Sequence, residues 1–218
     1  RQSPGKQIAV SSQHFSLFSP SDLRIAGAHN FKNAVMAATV AKHYGASDST
    51  IVNVVKKFRG LPYRLQLTRT IRDKKTGGII QCINDSAGTN PHTAAAAVRA
   101  FPQGALIVIA GGKEKGTSFE PFAEALLASP NVVRVILLGE NREKIAAALQ
   151  QWKVPARTTE VADDLQSAVA AAYQYARSLL VDGKTLITIL FAPGSASFDQ
   201  FASYADRGAR FKKIVDLL

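Results

Sequence analysis

Polar residues able to bind an anion follow three separate apolar stretches of this chain. They are Asp85 and Thr89 after GIIQCI, Lys115 after ALIVIA, and Ser197 after TLITILF. A carboxylate accepts hydrogen bonds from a ribose or an amine, an ammonium pairs with a carboxylate or phosphate, and hydroxyls donate to either. Ligands of open α/β sheets bind beyond the carboxyl ends of the strands. If these stretches are neighbouring parallel strands, the four side chains share one crevice, which predicts a site for a small anion or a nucleotide.

Each of these motifs also has a simpler interpretation, and the residue types alone leave the choice open. NDSAGTNP fits turn and helix-cap chemistry, GGKEKG fits a solvated lysine loop, and Ser197 could cap a helix. Near-helical spacing favours core packing over stacking on a base for three aromatic residues, Phe198, Phe201 and Tyr204. An ion pair between Asp199 and Arg207 would fix the same loop.

Two further segments carry candidate nucleotide ligands. Asn30 and Asn33 of HNFKN lie one helical turn apart on one predicted face, where their amides could bind a base edge or cap the helix. Arg64 ends RGLPYR, a segment whose Gly and Pro predict a hinge and a domain boundary. It could reach a phosphate or simply lie at the surface.

The periodicity of apolar residues predicts the elements that position these side chains. Helices are expected over 30–45 and over 48–58, the second capped by Ser47, and a hairpin over 65–72 and 78–83. After the hairpin, helices and strands alternate: helices 91–101, 119–128, 141–151, 163–181 and 207–217, and strands 105–110, 132–139, 158–161 and 185–191. Asp163 or Asp164 would cap the fourth of these helices. This alternation predicts an α/β fold with a mostly parallel sheet and helices on both faces.

The composition excludes several classes of protein. A hydrophobic content of 46% with 20% charged residues is typical of a globular chain, and no apolar run is long enough to span a bilayer. The single cysteine, Cys82, excludes an internal disulfide and fits a reducing cytoplasm. The net charge of +11 raises the possibility of a nucleic-acid partner, but the cations are dispersed and not interleaved with aromatics, which favours a small anionic ligand. The histidines lack metal-ligand spacing, so no metal site is predicted.

Five motifs, in order along the chain, resemble those of the Mur ligases. They are GAHNFKNAVMAA (27–38), GLPYR (60–64), INDSAGTNP (83–91), AGGKEKG (110–116) and APGSASFDQFASYADRGARF (192–211). The resemblance implies that residues 1–60 end the central ATP-binding domain, as a helical remnant. It implies that residues 61–218 form the Rossmann-like, glutamate-binding carboxyl-terminal domain. Because the chain begins with Arg1, we expect either a fragment whose amino-terminal part lies upstream or a processed chain.

Within that family the pattern is most similar to the members that add D-glutamate to UDP-N-acetylmuramoyl-L-alanine during peptidoglycan synthesis. The resemblance implies an ATP-dependent acid–amino-acid ligase that is cytoplasmic and monomeric, with ATP and Mg²⁺ as cofactors and neither nucleic acid nor membrane as a partner. It implies that D-glutamate is held by Thr89, Lys115, Ser197, Phe198 and Tyr204. ATP would be bound by Asn30, Asn33, Arg64 and Asp85.

Two departures from the family pattern limit what this chain is expected to do. Ala87 stands where many members carry a lysine, which removes one expected polar contact. The sequence lacks a phosphate loop and the magnesium ligands expected upstream of it, so the isolated chain is predicted to be inactive. A non-enzymatic module that binds a nucleotide or an amino acid is the alternative, because a fold does not fix a function.

Overall fold

The computed structural model describes residues 10–12, 14–155 and 159–218. The chain divides into two compact units, Arg1–Gly60 and Leu61–Leu218, and each is described by itself. The division falls inside RGLPYR. The first residue of the strand predicted from 158 lies outside the described residues.

The described residues of the first unit form two helices and a short 3₁₀ turn, Pro20–Asp22. Helix α1 spans Ala28–His43 and α2 spans Asp48–Lys57, so both predicted helices are confirmed with ends shifted by one or two residues. The Ser47 hydroxyl accepts the Thr50 N–H (3.2 Å) and caps α2 as expected. The core of this unit is small, with four buried side chains: Phe18, Val35, Ala38 and Ile51.

The second unit alternates strands and helices after an initial hairpin. Its strands are β1 (Gln66–Arg72), β2 (Ile79–Asn84), β3 (Ala105–Gly111), β4 (Val132–Leu138), β5 (Thr159–Val161) and β6 (Leu186–Phe191). Its helices are α3 (Pro91–Arg99), α4 (Glu120–Leu127), α5 (Arg142–Gln151), α6 (Leu165–Val181) and α7 (Tyr204–Asp216).

The six strands form one sheet in the order β1-β2-β6-β3-β4-β5. β1 runs antiparallel to β2, while every other pair of neighbours is parallel. The predicted hairpin and the mostly parallel sheet are therefore confirmed. Asp73 forms the hairpin turn, because its Oδ1 accepts the N–H groups of Lys75 (2.9 Å) and Thr76 (2.8 Å).

Side chains of β3 alternate between two hydrophobic layers. Ile107 and Ile109 pack in the cluster that contains α6 and α7, whereas Leu106 and Val108 pack in the cluster that contains α3, α4 and α5. All four are fully buried, as expected for a central strand that is covered on both faces. The α/β fold class predicted from the sequence is thus confirmed.

Two helix boundaries depend on local caps. Asp164 caps α6 by accepting the Ser167 N–H (2.7 Å), which settles the choice between Asp163 and Asp164. Helix α7 begins at Tyr204 and not at residue 207, because the Ser203 hydroxyl accepts the Asp206 N–H (3.1 Å) one turn earlier. Among the described residues, no helix combines the length and apolarity needed to cross a membrane.

Candidate functional site

Three loops lie side by side at the end of the sheet where the parallel strands finish, which we call its carboxyl edge. We call them the β2 loop (85–90), the lysine loop (112–119) and the serine loop (192–203). Gly194 N–H in the serine loop donates to Gly88 O in the β2 loop (3.1 Å), and Lys113 N–H in the lysine loop donates to Ala196 O (2.9 Å). The last contact forms a short antiparallel bridge. The prediction that these distant segments meet at one edge is confirmed.

The serine and lysine loops flank the switch point of the sheet. β6 and β3 are adjacent, yet the chain leaves β3 toward α4 on one face of the sheet and leaves β6 toward α7 on the other. Loops that diverge in this way open a crevice between the two strand ends, which is the usual ligand site of an open α/β sheet. The crevice is therefore bordered by the segments that contain Lys115 and Ser197.

The two lysines of the lysine loop differ in whether they have an acidic partner. Lys113 forms an ion pair with Glu140, and their hydrogen bond raises the pKa of Lys113. Glu114 is paired with Lys144 (2.9 Å). Lys115 is exposed and makes no ion pair within the described residues, so its ammonium is available to a ligand.

The backbone of the lysine loop approaches the serine loop too closely for a side chain at Gly112. A Cβ there would lie 2.3 Å from Ala196 O, and its φ of 152° lies in a region that side chains avoid. The glycine is thus required for the contact that joins the two loops.

Ser197 is 2% exposed, and its hydroxyl takes part in no hydrogen bond with the described residues. Its carbonyl accepts the N–H groups of Gln200 (3.2 Å) and Phe201 (2.9 Å), so the loop forms a tight turn. The alternative in which Ser197 caps a helix is wrong, because Ser203 caps α7. The hydroxyl of Ser197 therefore has no structural partner in this part of the protein.

The aromatic residues of this segment do not all pack in the core. Phe198 is 67% exposed and Tyr204 is 48% exposed, whereas Phe201 packs against the layer of α6 and α7. Core packing is the correct interpretation for Phe201 only. Two aromatic faces beside the crevice remain open to solvent.

Arg207 is buried and ties the serine loop to the β2 loop. Its guanidinium donates to the hydroxyl (3.0 Å) and the carbonyl (2.9 Å) of Ser86, to Ser195 O (2.9 Å) and to Ala196 O (3.2 Å). Burial lowers the pKa of Arg207 to about 10, although the charges of Asp199 and Asp85 oppose that shift.

The ion pair predicted between Asp199 and Arg207 is wrong. Asp199 Oδ2 instead accepts the Glu140 N–H (3.1 Å), and Asp199 Oδ1 is a buried atom without a hydrogen bond among the described residues. The two residues still fix the serine loop, but they bind different backbone segments.

Asp85 and the neighbouring backbone of the β2 loop form hydrogen bonds with the segment that precedes β1. Its Oδ1 accepts the Leu65 N–H (3.0 Å), while Ala87 N–H donates to Tyr63 O (2.9 Å). Tyr63 and Leu65 have φ values of 60° and 42°, unusual for residues with side chains. A Cβ at Gly208 would lie 2.4 Å from the Tyr63 ring, so this glycine admits the ring onto α7.

The Asp85 carboxyl is 2% exposed, and burial raises its pKa to about 6 against the opposing effects of the Leu65 hydrogen bond and of the nearby Arg64 and Arg207 charges. Arg64 itself is half-buried. A desolvated carboxylate beside an arginine at a strand end is typical of functional sites.

The start of α3 is capped by its own residues. Asn90 Oδ1 accepts the Thr93 N–H (3.0 Å), and Pro91 has no N–H to offer. The side chain of Asn90 thus satisfies the helix start from within the chain, as expected for helix-cap chemistry. Thr89, just before the cap, is half-buried.

In the first unit, Asn30 and Asn33 differ in availability. The Asn30 amide is buried and donates to Ala26 O (2.6 Å), which anchors the start of α1, whereas Asn33 is exposed one turn later. The described residues contain no cluster of His, Cys, Asp or Glu that could hold a metal ion.

Two residues of this edge were missed by sequence reasoning. Arg207 was assigned to an ion pair, and Asn141 was treated only as the start of a helix. Asn141 is in fact a buried residue whose amide bonds Gly112 and Ser195. No sequence pattern points to either residue, because most of their hydrogen-bond partners are backbone groups, which are the same at every position.

A protein-family comparison matches most of the second unit. Residues 64–188, more than half of the chain, match the family described as "Mur ligase, glutamate ligase domain". The chain therefore belongs to the Mur ligase family.

Similar curated proteins are longer than this chain. It is 36% identical over 200 residues to the UDP-N-acetylmuramoylalanine–D-glutamate ligase of Natranaerobius thermophilus, an alignment that covers 92% of this chain and 40% of that protein. It is 33% identical to the Aquifex aeolicus ligase of the same name, over 92% of this chain and 44% of that one. The chain thus spans about two fifths of these relatives.

Solved structures share the fold. Folylpolyglutamate synthase of Mycobacterium tuberculosis aligns with a TM-score of 0.61 at 18% identity, covering 88% of this chain and 41% of that one. UDP-N-acetylmuramate–alanine ligase of Thermotoga maritima aligns with a TM-score of 0.57 at 16% identity, covering 89% and 39%.

Proposed function

We propose that this chain is part of an ATP-dependent ligase that joins D-glutamate to UDP-N-acetylmuramoyl-L-alanine, and that its second unit binds the glutamate. The curated relatives carry this activity in their names, and the chain aligns with about two fifths of each. One observation carries the proposal. The loops of Lys115 and Ser197 are hydrogen-bonded together at the switch point, where neither functional group has a side-chain partner among the described residues.

The chemistry of this edge suits an acidic amino acid. The Lys115 ammonium would pair with one glutamate carboxylate, while the hydroxyls of Ser197 and Thr89 would donate to the other. Phe198 and Tyr204 would contribute backbone groups. The Tyr204 carbonyl already accepts the Ser86 hydroxyl (2.8 Å), so its N–H is the group on offer. Contacts from three loops would also distinguish the two enantiomers of glutamate.

ATP contacts are proposed for four residues, which differ in how available they are. Asn33 and Arg64 are available as they stand, for the adenine and for a phosphate or ribose. Asn30 and Asp85 would have to exchange their present hydrogen bonds, to Ala26 and Leu65, for contacts with the adenine and the ribose. Burial raises the pKa of Asp85, which is consistent with a carboxylate that gains polar or charged partners when a ligand binds.

In the proposed reaction, ATP transfers its γ-phosphoryl group to the alanine carboxylate of the UDP-sugar substrate and leaves as ADP. The neutral glutamate amine then attacks the acyl-phosphate carbonyl, inorganic phosphate is expelled, and the nitrogen loses a proton to give the amide. The described residues contribute positioning and electrostatics: Lys115 and Ser197 orient the nucleophile, and Arg64 neutralises phosphate charge. No candidate Mg²⁺ ligands cluster among the described residues, so no step is assigned to a metal here. We predict that the 218-residue chain alone does not turn over, and that the whole enzyme is a monomer in the ATP-containing cytoplasm.

Calorimetric titration of the chain with D-glutamate and L-glutamate tests this proposal. We expect at least tenfold preference for the D enantiomer, and weaker binding by Ser197→Ala. Ser178→Ala is the matched control, because this exposed serine on α6 bonds only Tyr175 O (2.9 Å). Equal affinity for the two enantiomers would overturn the ligase assignment in favour of a general binding module. Binding to random oligonucleotides that falls steeply with salt would instead favour a nucleic-acid role.

A further inference from the structure

Asn141 occupies the N-cap position of α5 without capping the helix. An asparagine at this position usually accepts an N–H from the first turn and so stabilises the helix. Asn90, Asp164 and Ser203 do so at the starts of their helices, but the Asn141 side chain makes no such bond. Asn141 is 3% exposed, so its amide is buried for another purpose.

That amide joins the lysine loop to the serine loop. Its Oδ1 accepts the Gly112 N–H (2.9 Å), and its Nδ2 donates to the Ser195 hydroxyl (2.7 Å). The orientation of the amide is fixed by chemistry, since a backbone N–H can only donate and must therefore face the oxygen. Asn141 N–H also donates to Gly112 O (3.0 Å), which makes the link to the lysine loop reciprocal.

The residues just before Asn141 support the same two loops. Glu140 N–H donates to Asp199 Oδ2 in the serine loop (3.1 Å). A Cβ at Gly139 would lie 2.5 Å from that oxygen and 2.7 Å from the Gly112 Cα, so the end of β4 lies directly against both loops. None of these three residues is proposed to touch a ligand.

We infer that Asn141 is a positioning residue for the amino-acid substrate, because it sets the spacing between the loops that carry Lys115 and Ser197. The inference rests on the proposed function for its ligand, but its structural half stands on the hydrogen bonds alone. Two anchors from separate loops must keep a spacing defined to well below 1 Å if both are to hold one small ligand. A buried amide that bonds both loops is suited to fix that spacing.

Asn131 provides a matched control at the opposite end of β4. Its Nδ2 donates to Phe101 O (2.9 Å) and Gly104 O (3.2 Å), so Asn131→Ala also removes one bridging amide from the unit. Asn141→Asp keeps an oxygen for the Gly112 N–H and can accept a hydrogen bond from the Ser195 hydroxyl, and it is expected to restore most of the function.

Two measurements on the 218-residue chain test the inference. In Asn141→Ala, hydrogen exchange at the Gly112 amide should accelerate at least tenfold and D-glutamate affinity should fall at least tenfold. In Asn131→Ala both should change less than twofold, although the midpoint of thermal unfolding falls. If Asn141→Ala does not fold, Ser195→Ala removes only the arm to Ser195, and the same two readouts should shift in the same direction by smaller amounts.

The outcomes separate the inference from the function on which it rests. Unchanged exchange at Gly112 in Asn141→Ala would overturn the inference, as would equal D-glutamate affinity of Asn141→Ala and Asn131→Ala. Failure of the unmutated chain to bind D-glutamate would overturn the proposed function, while accelerated exchange at Gly112 would still support the loop-spacing role.

Discussion

In the second unit, the carboxyl edge of the sheet, where the parallel strands end, buries more polar groups than the amino edge, where they begin. Among the described residues, seven of the nine buried polar or charged side chains belong to the carboxyl edge: Asn84, Asp85, Ser86, Asn141, Ser195, Ser197 and Arg207. The amino edge instead has solvated turns, such as Asp73–Gly78 with its exposed lysines. Buried polar groups cost stability unless they are bonded, so a fold gains little by concentrating them at one edge. The contrast indicates that this edge is arranged for a ligand.

The largest effect that would sharpen this contrast is expected at Arg207. Arg207→Met leaves the carbonyl groups of Ser86 and Ser195 without this donor and removes one of the two donors of Ala196 O, and we expect the free energy of unfolding to fall by about 4 kcal/mol. Urea denaturation followed by circular dichroism measures it. The control is Arg210→Met, three residues along α7, whose ion pair with Asp206 is exposed to solvent and contributes little to stability. Similar losses in both variants would contradict the scaffold role of Arg207.

The next largest effect concerns Asp85 and pH. Because its folded pKa of about 6 exceeds the unfolded value of 3.8, its ionisation weakens the fold as pH rises from about 4 to 6. Relative to Asp85→Asn, the wild type should therefore lose about 3 kcal/mol of unfolding free energy across that window. The variant is thus favoured at neutral pH.

Asp73, at the amino edge, gives the opposite sign and serves as the control. Hydrogen bonds from Thr76 lower the pKa of Asp73, so its stabilising contribution is present above pH 4 and is lost on acidification. Denaturation curves of Asp73→Asn between pH 3 and 6 should show this. For each residue, the unfolding free energy of the variant is subtracted from that of the wild type and plotted against pH. The same slope for Asp85 and Asp73 would contradict the proposed difference between the two edges.

A smaller effect is expected from the two lysines of the lysine loop. Lys115→Ala should weaken D-glutamate binding about tenfold, or about 1.4 kcal/mol, with little change in stability. Lys113→Ala removes a lysine that is already paired with Glu140 and should change affinity less than twofold. Calorimetry of the two variants decides between them, and a larger loss for Lys113→Ala would reverse the assignment.

The smallest effect is expected at the amino edge. Lys74 and Lys75 are exposed at the hairpin turn, and the double variant Lys74→Glu/Lys75→Glu should alter the unfolding free energy by less than about 0.5 kcal/mol. D-glutamate affinity should not change. A clear loss of affinity would show that the ligand site is not restricted to the carboxyl edge.

Much of the fold follows from the sequence because its signals are local. Apolar runs bounded by Gly and Pro predict the strands, and Ser47 and Asp164 cap the helices that they were expected to cap. The meeting of the three loops also follows, since parallel strands place their carboxyl ends at one edge.

The contacts that organise the site could not be predicted in the same way. Arg207 and Asn141 bond mostly to backbone groups, which are the same at every position and leave no mark on the sequence. Tyr63 and Leu65 adopt positive φ values that residue propensity disfavours, and only the three-dimensional contacts of Asp85 and Gly208 explain them.

The segment from Leu61 to Leu65 has a consequence for how β1 begins. Its backbone is held at Tyr63 and Leu65 by hydrogen bonds with Ala87 and Asp85 of the β2 loop, so these residues have little torsional freedom of their own. The approach to β1 and the β2 loop are thereby tied into one piece of backbone, and a displacement of either is passed to the other.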